Sequence, residues 1–90
     1  MQQQAPSPEL SSIEARLLEL IQRERMSLVD TVHRHDDLLS GEVLDSVAVL
    51  RLATCVEEEF NITVGPADFV VENFQNLEIL AQYIQRSMAS

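Results

Sequence analysis

Ninety residues make one small domain, with too little interior to wall off several catalytic groups around a substrate. Fifteen acidic residues against six arginines and no lysine give a formal charge of −9, which opposes binding to nucleic acid and to anionic membrane surfaces. The same charge steers the chain toward basic patches on other proteins, while 46% hydrophobic content separates it from acidic disordered tails.

Residues 1–7 are polar and proline-flanked, a disordered leader; the domain proper is expected over 8–87, with 88–90 fraying. The leader lacks the charged start and apolar run of a signal peptide, and no apolar stretch approaches membrane-spanning length. A cytoplasmic monomer is expected. Two starts are open to the first helix. Ser7 can cap it with Pro8 at the first position, or Ser11 and Glu14 can form a capping box. Leu10, Ile13, Leu17, Leu20 and Ile21 then recur at helical spacing, and the helix should end near Arg25.

Residues 26–44 form a long connection, which Leu28, Val29, Val32, Leu38 and Leu39 must pin to the core. His33 and His35 sit two apart with no cysteine beside them, so they lack the ligand spacing of a metal centre. Asp36 and Asp37 lack the spacing of a calcium loop. They read as a turn that lowers Leu38 and Leu39 onto the core.

The second helix is expected from Ser46 to Phe60, with Ser46 as N-cap and Asp45 complementing the helix dipole. Val49, Leu52, Ala53, Val56 and Phe60 fall on one third of its circumference and form the core stripe. Val47 and Leu50 lie off that stripe, either as a rim of the core or as a contact patch. The lone Cys55 excludes an internal disulfide; with no histidine near it in sequence, it reads as a small hydrophobe or surface thiol. Asn61 to Pro66 break the helix, and residues 66–71 make a short third helix or a single turn. Residues 62–64 have strand-like composition but no partner. Asn76 caps a last helix that buries Leu77, Leu80, Ala81, Ile84 and Met88. The sum is an all-α four-helix bundle with a short third helix.

Leu44-Asp45-Ser46-Val47, followed by Val49, Leu52, Val56 and Glu57-Glu58-Glu59-Phe60, closely resembles the acyl and peptidyl carrier proteins. The likeness continues more loosely through Ile62-Thr63-Val64 and residues 72–77 to Ile84. It implies that Ser46 carries a 4'-phosphopantetheine arm, joined by a phosphopantetheinyl transferase, on which an acyl or aminoacyl group is held as a thioester. It also implies an adenylating or acyl-transferring loading enzyme and downstream synthase or tailoring enzymes as partners. Those partners would meet Asp45, Val47, Leu50, Arg51, Thr54, Glu57, Glu58 and the loop acid Glu42. Ser46 is then an attachment point and the chain no enzyme, because no His or Lys stands at a spacing that would activate the serine.

Departures from the fatty-acid pattern narrow the resemblance. Val43 stands three residues before the serine where glycine is usual, with Gly41 five before; Arg51 replaces a common acid, and Val47 replaces leucine or methionine. The stretch 72–77 looks more like freestanding carriers of polyketide, nonribosomal-peptide or related specialised pathways. D-alanyl carriers usually have a tryptophan near the last helix, and this chain has none. The alternatives are an unmodified acidic interaction module with a carrier-like fold, or a housekeeping fatty-acid carrier.

Overall fold

The first helical stripe folds as its periodicity requires. In the computed structural model, which describes residues 9–89, α1 runs over Leu10–Arg23 and buries Ile13, Leu17, Leu20 and Ile21. Its N-cap is Glu9, which makes no side-chain capping bond. Ser11 and Glu14 lie inside the helix, so the expected capping box is not its start. The alternative cap Ser7, the leader 1–7 and Ser90 lie outside the described residues. The helix stops because Arg25 takes left-handed backbone at φ 53°. Met26 N–H then reaches back to the Ile21 carbonyl at 3.0 Å and Arg25 N–H to that of Gln22 at 3.2 Å, the paired bonds of a Schellman stop.

The long connection is held by different apolar residues from those expected. Val32 and Leu38 are buried and Leu39 is half-buried, but Leu28 is 57% exposed and Val29 also faces solvent. Met26, Val43 and Leu44 take their place in the core. Backbone bonds fix the path: Leu28 N–H donates to Val43 at 2.7 Å and Leu38 N–H to Gln75 at 2.8 Å. The Asp37 carboxylate accepts from Leu39 N–H at 2.9 Å, closing the turn that lowers Leu38 into the core. On the outside, the Arg34 guanidinium grips Glu14 of α1 at 2.8 Å and Glu78 at 3.2 Å.

Helix α2 spans Ser46–Phe60, the boundaries expected. Its buried line is Ala48, Leu52, Val56 and Phe60, with Val49 and Ala53 half-buried beside it. The stripe is thus rotated slightly from the one expected, because Ala48 faces inward and Val49 lies at its edge. Asn61 ends the helix at φ 54°, and Ile62 N–H bonds back to Glu57 at 3.2 Å. Residues 66–68 form a turn, and the short helix α3 follows at Val71–Phe74, later than expected. Among the described residues there is no strand, the segment 62–64 included. Helix α4, Leu77–Ala89, is capped as expected: Asn76 Oδ1 accepts from Ile79 N–H at 2.8 Å. It buries Leu77, Leu80, Ala81 and Ile84, and Tyr83 as well, while Met88 packs partly against the core.

Among the described residues the architecture is all-helical, four helices with a short third. Helix α4 is its centre, packing against α1 and α3, while α1 also touches α2. That arrangement leaves one face and the N-terminus of α2 open to solvent.

Candidate functional site

The start of α2 is set by Asp45, and this corrects the capping assignment. Asp45 adopts extended backbone, and its Oδ1 accepts from Ala48 N–H at 2.8 Å. Its carbonyl accepts from Val49 N–H at 3.0 Å. Ser46 is therefore the first helical residue, not the cap, and its hydroxyl is not committed to holding the helix. Both residues are exposed. The N–H groups of Ser46 and Val47 belong to the first turn, where no intrahelical carbonyl is available, so they point outward at the positive end of the dipole. An anionic group on the Ser46 oxygen would meet them there. Asp45→Ala should cost about 1 kcal/mol by removing the cap, read as a lowered denaturant midpoint with an unchanged slope.

Beside the serine lies a pocket of about 420 Å³. Leu39, Leu44, Val49, Leu50 and Phe69 give it apolar walls, and Ser40, Gly41 and Ser46 border it. Gly41 has φ 89°, a left-handed conformation that disfavours any residue with a Cβ, and it turns the chain along that border. Sequence reasoning missed Leu39, Leu44, Val49 and Phe69 as walls of one pocket. The available signal was the off-stripe position of Leu50, an apolar residue outside the core stripe on the helix that starts at the serine.

The other expected site residues separate into groups. Val47, Leu50, Arg51, Thr54 and Cys55 share a shallow depression on the outer face of α2. Val47 is 63% exposed and Leu50 57%, so neither is spent on the core. Glu42 and Glu58 are exposed acids. Glu57 differs: its carboxylate accepts from Val64 N–H at 2.8 Å and ties the following loop to the helix. Arg51 is not a free cation, since its guanidinium lies 3.4 Å from Glu24 Oε1 and 3.5 Å from the Glu24 carbonyl. This is a surface pair, worth about 0–1 kcal/mol.

The remaining polar groups have structural roles. His33 lies 3.5 Å from Asp36, whereas His35 bonds Glu78 at 2.9 Å, so the two imidazoles face different carboxylates. Among the described residues, no three His, Cys, Asp or Glu side chains are grouped to hold a metal ion. Cys55 is half-buried against the core. Burial pushes its thiol up, and the nearby Glu24 and Glu58 push it further, the opposite of an activated nucleophile. Burial likewise raises the Tyr83 phenol, so it stays protonated and donates to Asp68 at 3.2 Å. No helix among the described residues is long and apolar enough to cross a membrane.

The model of the family described as "phosphopantetheine attachment site" matches residues 15–84, from within α1 to within α4. The chain belongs to this family. It is a carrier protein, and its domain is the kind to which 4'-phosphopantetheine is covalently attached. Carrier domains interact with phosphopantetheinyl transferases and synthase enzymes and are not themselves catalytic. No curated protein and no solved structure gives a significant match to the chain.

Proposed function

We propose that Ser46 is the attachment point and that the chain serves a specialised biosynthetic pathway, presenting its cargo to dedicated enzymes. The observation that carries the reading is an exposed serine as the first residue of α2, capped by a neighbour and bordering an apolar pocket. Ser46 Oγ forms the phosphodiester as the pyrophosphate bond of coenzyme A breaks, with the adenosine bisphosphate leaving and the hydroxyl proton lost. Asp45 keeps the helix start rigid and offers a carboxylate to the transferase or its metal. When bound, the arm supplies a terminal thiol that holds an acyl or aminoacyl group. The domain contributes effective concentration, since a tethered group meets each partner site as an intramolecular neighbour. Incubation with coenzyme A and a broad-range transferase should add one arm, seen as a single step in intact mass; an unchanged mass would overturn the proposal.

Partners are proposed to dock on the outer face of α2. Val47 and Leu50 give apolar contact, Thr54 a hydroxyl, and Glu42, Asp45 and Glu58 the charge that steers basic surfaces toward it. Arg51, held by Glu24, biases partner choice by excluding a basic group at that point. Glu58→Arg should weaken partner binding severalfold and flatten its salt dependence, and Leu50→Ala should weaken it without changing that dependence. Unchanged affinity in both variants would remove this surface from consideration.

The specialised pathway is supported by Val43, Val47 and Arg51, where fatty-acid carriers usually differ, and by residues 72–77. A side-by-side assay against a fatty-acid carrier should give poor malonyl loading and chain extension with this protein. Comparable rates would restore the housekeeping alternative.

A further inference from the structure

Leu28 and Val29 were expected to anchor the long connection, and the fold leaves both on the surface, 57% and 39% exposed. Both are fixed there by hydrogen bonds. Leu28 N–H donates to the Val43 carbonyl at 2.7 Å, which ties it to the segment leading into Ser46. Ser27 Oγ accepts from Val29 N–H at 3.0 Å and donates to the Val29 carbonyl at 2.7 Å. A crevice of about 320 Å³ opens beside them, with Ile21, Val29 and Val32 as apolar walls and Arg25 and Asp30 among its polar ones.

Arg25 is the unusual member of this group. It takes left-handed backbone at φ 53°, just past the end of α1, where glycine is the common choice. A side chain at that position carries a conformational cost, and no ion pair within the chain offsets it. Arg16, Arg23, Arg34 and Arg51 each meet a carboxylate, whereas Arg25 meets none among the described residues. Its neighbour Glu24 is already shared between Arg23 at 3.5 Å and Arg51 at 3.4 Å. The end of α1 therefore presents an unmatched positive charge beside exposed apolar surface, on a chain whose formal charge is −9.

We propose that Arg25, Leu28 and Val29 form a docking surface, separate from the outer face of α2, for a protein that presents a carboxylate beside a large apolar side chain. The apolar side chain enters the crevice against Ile21 and Val32 and covers Leu28 and Val29, which removes apolar area from water. The carboxylate meets the Arg25 guanidinium, whose planar fork suits it. Charge complementarity selects this partner. The acids elsewhere on the chain recruit basic surfaces, and a contact of opposite sign rejects partners that are basic throughout, because a cation here would face Arg25. A small free acid would leave Leu28 and Val29 uncovered. The inference does not depend on where the arm is attached.

The test titrates the full-length, nitrogen-15-labelled protein with two helical peptides and follows its amide resonances. One peptide carries leucines along one face flanked by glutamates; the other has lysine in place of each glutamate. Salt at about 0.15 M, where the Debye length is ~8 Å, screens the remote acids. The glutamate peptide should shift the amides of residues 24–30, and the lysine peptide should shift those of the acidic face of α2 instead. Arg25→Glu and Leu28→Ala should each weaken the glutamate peptide severalfold, and both sites are exposed, so the fold survives. Arg25→Gly separates docking from structure: glycine suits the left-handed backbone, so the thermal midpoint should hold or rise while the glutamate peptide loses its site. A glutamate peptide that moves no amide over 24–30, or binds both Arg25→Glu and Leu28→Ala as tightly as the unaltered protein, overturns the proposal. Equal shifts there from the lysine peptide overturn the partner class. A lowered midpoint in Arg25→Gly would assign the arginine a structural task and remove the reason to read it as a docking group.

Discussion

Ser46→Ala should abolish attachment of the arm completely while leaving the fold almost untouched. The expectation of a nearly silent substitution comes from the geometry of the helix start. Asp45, not Ser46, accepts the Ala48 N–H, so removing the serine hydroxyl takes no capping bond from α2. An exposed residue with no such role changes stability by about 0.5 kcal/mol or less. Intact mass after incubation with coenzyme A and transferase should show one added arm in the unaltered protein and none in the variant. Urea denaturation should give the same midpoint for both within error. An arm on the variant would move the attachment point to another serine. A large stability loss without attachment would mean that the hydroxyl has a structural task, and the unmodified-module alternative would regain ground.

The helix that carries this serine was legible in the sequence, and the identity of its cap was not. Aspartate and serine are both good caps, and at adjacent positions they predict starts one residue apart. Only the backbone path decides between them. The C-terminal end of α2 and the cap of α4 were readable because Asn61 and Asn76 each act through a local preference: a left-handed stop in one case, a side-chain acceptor in the other. The connection between α1 and α2 was misread for a different reason. Leu28 and Val29 are as apolar as Val43 and Leu44, but in an irregular segment no period says which side faces in. Which of them was buried depended on backbone bonds such as Leu28 to Val43, which join residues distant in sequence. A pocket beside Ser46 along the Leu50 flank was expected, but most of its walls could not be read from the sequence, for the same reason. Its walls come from the long connection, α2 and the turn before α3, three segments brought together only by the fold.

Phe74→Ala should be strongly destabilising, because Phe74 is the buried residue that anchors α3 to the core. Four residues are far too few to hold a helix by propensity alone, since the nucleation cost is not recovered in a single turn. Phe74 supplies the missing energy. It is 1% exposed, meets Phe69 edge-on, and lies 6.4 Å from the Tyr83 ring of α4. Truncation at such a site costs about 3–5 kcal/mol, a large part of the roughly 5–15 kcal/mol that stabilises a whole domain. In a chain of this length the thermal midpoint should fall by about 15 °C or more. Val71→Ala is the control: the residue sits in the same short helix but is 62% exposed, and its loss should change stability by about 0.5 kcal/mol or less. Circular dichroism melts of the two variants separate a helix held by one buried anchor from a helix held along its length. If Phe74→Ala lowered the midpoint no more than Val71→Ala does, α3 would be a peripheral turn, and Phe69 would lose the support that makes it a wall of the pocket.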